Sequence, residues 1–431
     1  MLTAAAMLLL LSGCAALENM PKPPKVTPVP TEAPAAAEAV QTPQAAEATP
    51  APEAAQPAGQ HGTVVRLTQN EAEAYDPEYG VSRILHMKWD SVRLGSEKVP
   101  AAAEKITETL AAMEEEWYTG SGSDEWNLYG YNNLLAAAED DYAIYKEYGG
   151  EVREYEADRS TRVVRADDRV VTVLINTYYY LGGAHGGYDT QGLCFDAKTG
   201  ERVHLSVLSR NPANLRTRLV QEMLRLVQED DTGYYEGVLS LTEPANYETA
   251  FEALLRDGSW YLDGDGIRIF STIYELGPYA AGIAEFAIPY DRLSDVLDSR
   301  WLPETAEGSA KLSLLSAEEV PEGRLEIVDS VSTGADGVTA LLYCEGRAED
   351  VTVERVEWMG DYLTADEQLW YCAMLQDSAV QLELTFPGDL PSVEIRYRDA
   401  SGEHALLVSL SGQDGSLLLT EYGGQGSAGI G

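Results

Sequence analysis

Residues 21–60 hold 10 of the chain's 20 prolines together with 12 alanines, and Thr, Gln and Glu make up most of the rest. Proline locks φ and has no backbone N–H to donate, so this stretch propagates neither helix nor sheet. It also lacks the large apolar side chains a core requires. Folding is thereby confined to residues 62–431, and residues 18–61 are expected to form an extended tether at ~3.1 Å per residue, reaching on the order of 100 Å.

The segment ahead of the tether reads as an address. Residues 2–11 (LTAAAMLLLL) are apolar but fall well short of the roughly 20 residues that span a bilayer. They suit the h-region of a signal peptide, although no Lys or Arg precedes them. Leu11-Ser12-Gly13-Cys14 resembles the lipobox of bacterial lipoproteins. That resemblance implies a signal peptide with lipobox over residues 1–17, acylation of Cys14, and an extracytoplasmic protein of a bacterium, expected to be Gram-positive, that touches the membrane through its lipid alone.

The chain carries 30 Lys+Arg against 71 Asp+Glu, a formal charge of −41. Nucleic-acid binding needs clustered cations to neutralise phosphates, so that class is excluded. Counted by segment the charge is −3 for residues 1–61, −22 for 62–310 and −16 for 311–431. Such a spread reads as a general surface property suited to solubility, with basic proteins as the partners it would attract.

Beyond Cys14 the cysteines are Cys194, Cys344 and Cys372. One intramolecular bridge at most can form, and Cys344 with Cys372, in neighbouring expected strands, is the candidate pair; three buried thiols are the equal alternative. No cysteine spacing matches a metal site.

Periodicity places a helix from Pro100 with the stripe Ile106, Leu110, Met113 and Trp117, and a second over 131–147 ending at Gly149. Strands are expected at 151–158, 161–166 and 169–180, followed by a hairpin of Gly192–Asp196 with Arg202–Leu205. Asn211 and Pro212 cap a third helix through Leu226. A short helix at Tyr247–Leu255 and strands at 260–262, 267–273 and 283–288 come next, and Asp291 opens a closing helix. Asp263-Gly264-Asp265-Gly266 superficially matches a calcium loop, but Tyr274 stands where the bidentate Glu should be, which favours a hairpin turn. After a linker at 303–310, residues 325–420 read as about eight short strands with turn residues every ten or so positions, the pattern of a β-sandwich. The expected class is α+β: a mixed helix and antiparallel-sheet module over 62–300 (parts 66–190 and 191–300), then an all-β sandwich-like domain over 311–422 and a disordered tail at 423–431.

Catalytic signatures are lacking. The five histidines, His61, His86, His185, His204 and His404, show no H-x3-H or H-E-x-x-H spacing, and no G-x-S-x-G elbow or phosphate loop occurs. No enzyme activity, metal or cofactor is expected. The unusual run is Tyr178-Tyr179-Tyr180-Leu181-Gly182-Gly183-Ala184-His185-Gly186-Gly187. Four glycines around one imidazole mark a backbone that turns sharply or admits close approach. One reading makes it a binding loop, the other a structural turn whose His bonds a backbone carbonyl.

Tyr-x-Gly-Gly-Ala-His, followed by an Asp-x-x-Thr-Gly turn at Asp196–Gly200, resembles the paired extracellular domains of RsiV-type lysozyme-sensing anti-sigma factors, which also precede the catalytic part of PdaC-type peptidoglycan deacetylases. Tyr274-Glu275-Leu276-Gly277-Pro278-Tyr279-Ala280-Ala281-Gly282, with Phe286-Ala287-Ile288-Pro289-Tyr290, looks like the closing motif of that family. The two motifs cover about residues 66–300. The resemblance implies a receptor that binds lysozyme. This chain departs from the family in showing no transmembrane helix, no sigma-binding segment and no deacetylase domain, so only the binding module carries over. Gly182, Gly183, Ala184, His185 and Gly186, with Pro278 and Tyr279, are the candidate binding edge. The expected partner is lysozyme or another cationic wall hydrolase; the alternative is a peptidoglycan-binding or spacer lipoprotein.

Overall fold

The first helices exist because of one parallel strand pair. The computed structural model describes residues 62–121, 130–150, 152–239, 251–303, 308–315, 325–334, 337–359, 362–386, 390–412 and 415–421. The signal peptide, Cys14, the tether and the tail lie outside the described residues. Strands β1 (Val64–Tyr75) and β2 (Arg83–Gly95) pair antiparallel, and the Asp76 carboxylate closes their turn by accepting the N–H groups of Tyr79, Val81 and Ser82. Strand β3 (Tyr155–Ala166) then pairs parallel to β2. A parallel neighbour requires a crossover, and α1 (Pro100–Thr119) with α2 (Tyr131–Tyr148) provides it. Pro100 starts α1 and Gly120, in the left-handed region at φ 67°, ends it. Strands β4 (Val170–Tyr180) and β5 (Gly187–Asp196) complete an antiparallel meander with β3.

The two-residue period of β4 decides which layer each side chain joins. Val171, Val173 and Ile175 pack with Ile106 and Leu110 of α1, and Tyr179 packs with Trp117 of α1 and Leu134 of α2. On the other face Val170 and Cys194 join α3 (Pro212–Glu229) and a small antiparallel sheet of β6 (Trp260–Leu262), β7 (Gly266–Phe270) and β8 (Glu285–Pro289). Asn211 caps α3 by accepting the Asn214 N–H at 3.3 Å. Leu215, Leu219, Met223 and Val227 form its buried stripe against Phe251, Trp260 and Phe286. No helix among the described residues is long and apolar enough to cross a membrane.

Several local expectations change. The break expected at 159–160 is absent, because Arg159 and Ser160 pair with Thr177 and Asn176 inside β3, with the Arg159 guanidinium buried 5.9 Å from the Trp117 ring. Arg202 makes a single bridge to Phe195 in place of a second hairpin arm. The closing helix shrinks to a 3-10 turn over Tyr290–Leu293. Asp263–Gly266 is a hairpin turn between β6 and β7, as expected.

The larger correction concerns the C-terminal part. The α+β class holds, but residues 325–420 are not eight short strands of a separate sandwich. Two long strands, β11 (Val338–Met359) and β12 (Tyr362–Leu384), form one hairpin. Sequence positions that look like turns lie inside its strands: Asp350 and Asp377 take positive φ of 51° and 45°, and the register slips at a bulge between Cys344 and Arg347. One half of the hairpin pairs with β9 (Ala310–Leu315) and β10 (Ile327–Ser332). The other half pairs with β13 (Val393–Asp399) and, through Trp370–Cys372, with β1. With β14 (Gly402–Leu410) and β15 (Leu417–Glu421) the result is a 12-stranded sheet continuous with β1–β5. It bends around its own core, which includes Leu342, Val353, Trp370, Leu382, Ile395 and Val408.

Side chains lock this hairpin onto β3. Gln368 accepts the Val163 N–H at 2.9 Å and donates to the Val163 carbonyl at 3.0 Å. The Tyr371 hydroxyl accepts the Ala166 N–H at 3.0 Å and donates to Asp350 Oδ1 at 2.6 Å. The Cys344–Cys372 bridge is not formed: Cys344 faces Ser378 and Cys372 faces Val351. Both are buried thiols, donating to the carbonyls of Leu375 and Met374, and burial pushes them up to about 11 and about 12.

Asp90 is a buried carboxyl held by one backbone bond, its Oδ2 accepting the Thr161 N–H at 2.8 Å. Burial pushes it up to about 6 from 3.8. A raised carboxyl contributes stability below its unfolded value and loses it as pH rises through 6. Asp90→Asn keeps the acceptor and removes the charge, so a gain on the order of 3 kcal/mol is expected at neutral pH, shrinking towards zero below pH ~4. Urea unfolding at both pH values checks this; a pH-independent difference would contradict it.

Candidate functional site

The Gly182–Gly186 turn is built by its glycines at two points. Gly182 sits at φ 72°, in the left-handed region, and its carbonyl accepts from the Arg153 guanidinium. A Cβ on Gly186 would lie 2.3 Å from the Tyr178 ring, so the turn closes directly onto that side chain. Gly183, Ala184 and His185 stand exposed at its tip. The Tyr180 hydroxyl donates to the Gly183 carbonyl at 3.2 Å.

His185 Nδ1 lies 2.8 Å from the Gly186 carbonyl. A carbonyl only accepts, so Nδ1 carries a proton; in that tautomer Nε2 is the nitrogen that can accept from the Tyr274 hydroxyl, 3.1 Å away. The carbonyl-bonding turn read from sequence is therefore present, and it holds the imidazole in a fixed orientation.

The second segment rises from between β7 and β8. Ser271 N–H donates to the Ala284 carbonyl at 2.9 Å, and Ala284 N–H returns to Ser271 Oγ at 3.0 Å, closing the loop at its base. Inside it Glu275 accepts from the Thr272 N–H and from both ends of the Arg256 guanidinium. Burial alone would raise the Glu275 carboxyl, but these bonds outweigh it and hold it below the ordinary value. Gly277 is pressed against Gly233, whose carbonyl oxygen would lie 2.1 Å from an added Cβ. Pro278 then leads into a 3-10 turn over Tyr279–Ala281.

The two segments meet. The His185 and Tyr279 rings stack with centroids 3.9 Å apart and planes 27° apart. Tyr274 lies 5.8 Å and Tyr188 5.9 Å from Tyr279, both tilted. Tyr274 takes a positive φ of 66° and is half exposed. Thus Gly183–His185, Pro278 and the half-buried Tyr279, separated by about 90 positions, form one edge, with Gly182 and Gly186 buried beneath its tip. Sequence reasoning passed over Tyr178, Tyr188 and Tyr274 as members. The available signal was alternation: Tyr179 is buried under the helices, so Tyr178 must face the other way, and Tyr188 stands directly opposite Tyr178 in the register. Burial raises the Tyr178 hydroxyl, and the charge of nearby Glu156 adds to the rise.

This arrangement offers ring faces, phenol hydroxyls and adjacent carboxylates. Tyrosine faces attract cations and stack on flat apolar surfaces. His185 is engaged by the Gly186 carbonyl and the Tyr274 phenol. Among the described residues, Glu71, Glu73 and His86, on β1 and β2, bring three ligand atoms within 4.8 Å of one another. There Arg83 already pairs with Glu73 and Glu154, so much of that negative charge is neutralised.

No curated protein matches the chain. Among the solved structures that resemble it are two DUF3298 family proteins. One, a DUF3298 family member from Bacteroides fragilis NCTC 9343, is 20% identical with a TM-score of 0.43, covering 56% of this chain and 96% of that one. Another, a DUF3298 family protein from Pseudomonas aeruginosa PAO1, is 14% identical with a TM-score of 0.37, covering 56% and 97%. Residues 217–291, which include β6–β8 and the Tyr274–Tyr279 half of the edge, match the DUF3298 family of unknown function, a finding consistent with the resemblance to RsiV-type domains.

Proposed function

We propose that this chain is a cell-surface lipoprotein of a bacterium, anchored through Cys14, whose RsiV-like module binds lysozyme or another cationic wall-active protein without catalysing a reaction. The observation that carries the reading is the stacking of His185 on Tyr279 at 3.9 Å, which joins both family-like motifs in one exposed edge. Tyrosines beside carboxylates suit Lys and Arg side chains, and a net charge of −41 steers a basic protein towards the surface. A second reading, peptidoglycan binding, draws on the same half-exposed Tyr274 ring as a sugar-stacking face.

One preparation tests the proposal. In the native host, full-length protein is expected in the membrane fraction and Cys14→Ser in the soluble fraction. The soluble form is expected to bind hen lysozyme with micromolar or tighter affinity that weakens about tenfold or more as salt rises from low to physiological strength. Absence of binding at low salt, with retention on sedimented peptidoglycan, would replace this reading with the second one.

A further inference from the structure

One imidazole fastens the terminal strand of the large sheet. Among the described residues β15 pairs with β14 alone, over five residues ending at Glu421. His404, on β14, stacks on Tyr397 of β13 with ring centroids 4.6 Å apart and planes 14° apart. Its Nε2 lies 3.0 Å from Asp399 Oδ1, and its Nδ1 lies 3.2 Å from Glu421 Oε1. Ser401 Oγ, also 3.0 Å from Nε2, donates its own proton to Asp399 at 2.6 Å. An ionised carboxylate only accepts, so both bonds exist together only when both ring nitrogens carry protons. The geometry is that of an imidazolium between two carboxylates, and among the described residues no Lys or Arg pairs with either acid.

The two acids are held unequally. The Asp399 side chain is 3% exposed and also accepts the N–H groups of Ser401 and of Ala310 on β9, so it stays in place. The Glu421 side chain is 68% exposed, with His404 as its one partner among the described residues. A neutral ring has a single N–H. If that proton remains on Nε2, towards the fixed Asp399, the Nδ1 lone pair faces the Glu421 carboxylate and repels it.

Burial alone would lower His404, but the bonds to Asp399 and Glu421 outweigh it and raise it above its ordinary 6.5. The stabilisation is therefore complete below pH 6.5 and is lost as pH rises through the raised value. Tyr397, and Cys344 of β11 near it, are pushed by burial up to about 12 and about 11, too high to share this titration. Arg398 and Glu403 form the adjacent register pair and point to the opposite face of the sheet.

We propose that His404 is a proton-operated latch on the terminal strand: doubly protonated, it ties the end of β15 to β13 and β14 through Glu421, and on losing a proton it keeps Asp399 and releases Glu421. Opening of β15 then lifts Leu417 and Leu419 from the C-terminal core. The latch is independent of the His185–Tyr279 edge.

Hydrogen exchange of the full chain, corrected for intrinsic rates, together with an NMR titration of the His404 ring tests this. Between pH ~6 and pH ~9, protection of the β15 amides is expected to fall about threefold while that of β11 and β12 is unchanged, the size of effect an exposed ion pair gives. Glu421→Gln, at an exposed position that leaves the fold alone, is expected to make β15 protection independent of pH and to lower the pH at which His404 titrates. His404→Gln is expected to abolish the same pH dependence. The proposal is overturned if β15 protection in the unsubstituted chain does not change with pH, if Glu421→Gln retains the full change, or if that variant leaves the His404 titration where it was.

Discussion

Tyr371→Phe is expected to lower the stability of the chain by about 3 kcal/mol although it removes a single oxygen atom. That oxygen accepts the Ala166 N–H and donates to Asp350, deep in the seam between β12 and β3. Without it, a buried N–H and a partly buried carboxylate each lose a partner, and a buried orphan costs roughly 1–3 kcal/mol. The Asp350 carboxyl is already raised by burial, against which the bond from Tyr371 is the leading opposing influence; its loss leaves Arg398 as the carboxylate's remaining partner. The ring itself stays, packed with Val65, Ile106 and Phe195, so the change is one of hydrogen bonding and not of packing. Denaturant unfolding measures it, and a change within about 0.5 kcal/mol would mean the hairpin is not locked to β3 in this way.

A comparable effect is expected in binding. Tyr279→Ala is expected to weaken the affinity for lysozyme about 30-fold, the loss typical of a central aromatic anchor. His185→Ala is expected to weaken it several-fold, because removing the imidazole takes away the stack that fixes the Tyr279 ring and the acceptor of the Tyr274 hydroxyl. Neither side chain is buried in a core, so both variants are expected to unfold at nearly the same denaturant concentration as the unsubstituted chain. An equal loss of stability and affinity would instead assign the edge a structural role.

The helices and the edge were legible for different reasons. Pro100, the Ile106–Leu110–Trp117 stripe and the Asn211–Pro212 cap are local signals, and local chemistry determines them. The pairing of the two motifs was legible only as a shared resemblance; nothing in residues 182–187 says that Tyr279 lies above them. The C-terminal part was misread because Gly346, Asp350 and Asp377 are ordinary turn residues in sequence, whereas here Gly346 and Asp377 sit at a slip in register between the two long strands, and Asp350 at one between β11 and β13. Continuity of the sheet was equally hidden, since it rests on Val64–Arg66 meeting Trp370–Cys372 across some 300 residues.

The most direct measurement of the central claim, that two distant motifs make one binding edge, is a double-mutant cycle on His185→Ala and Tyr279→Ala read by lysozyme affinity at low salt. Rings in contact at 3.9 Å are expected to couple by about 1 kcal/mol, the double variant losing clearly less than the sum of the two single losses. Losses that simply add, or two variants that bind as the unsubstituted chain does, would contradict the composite edge.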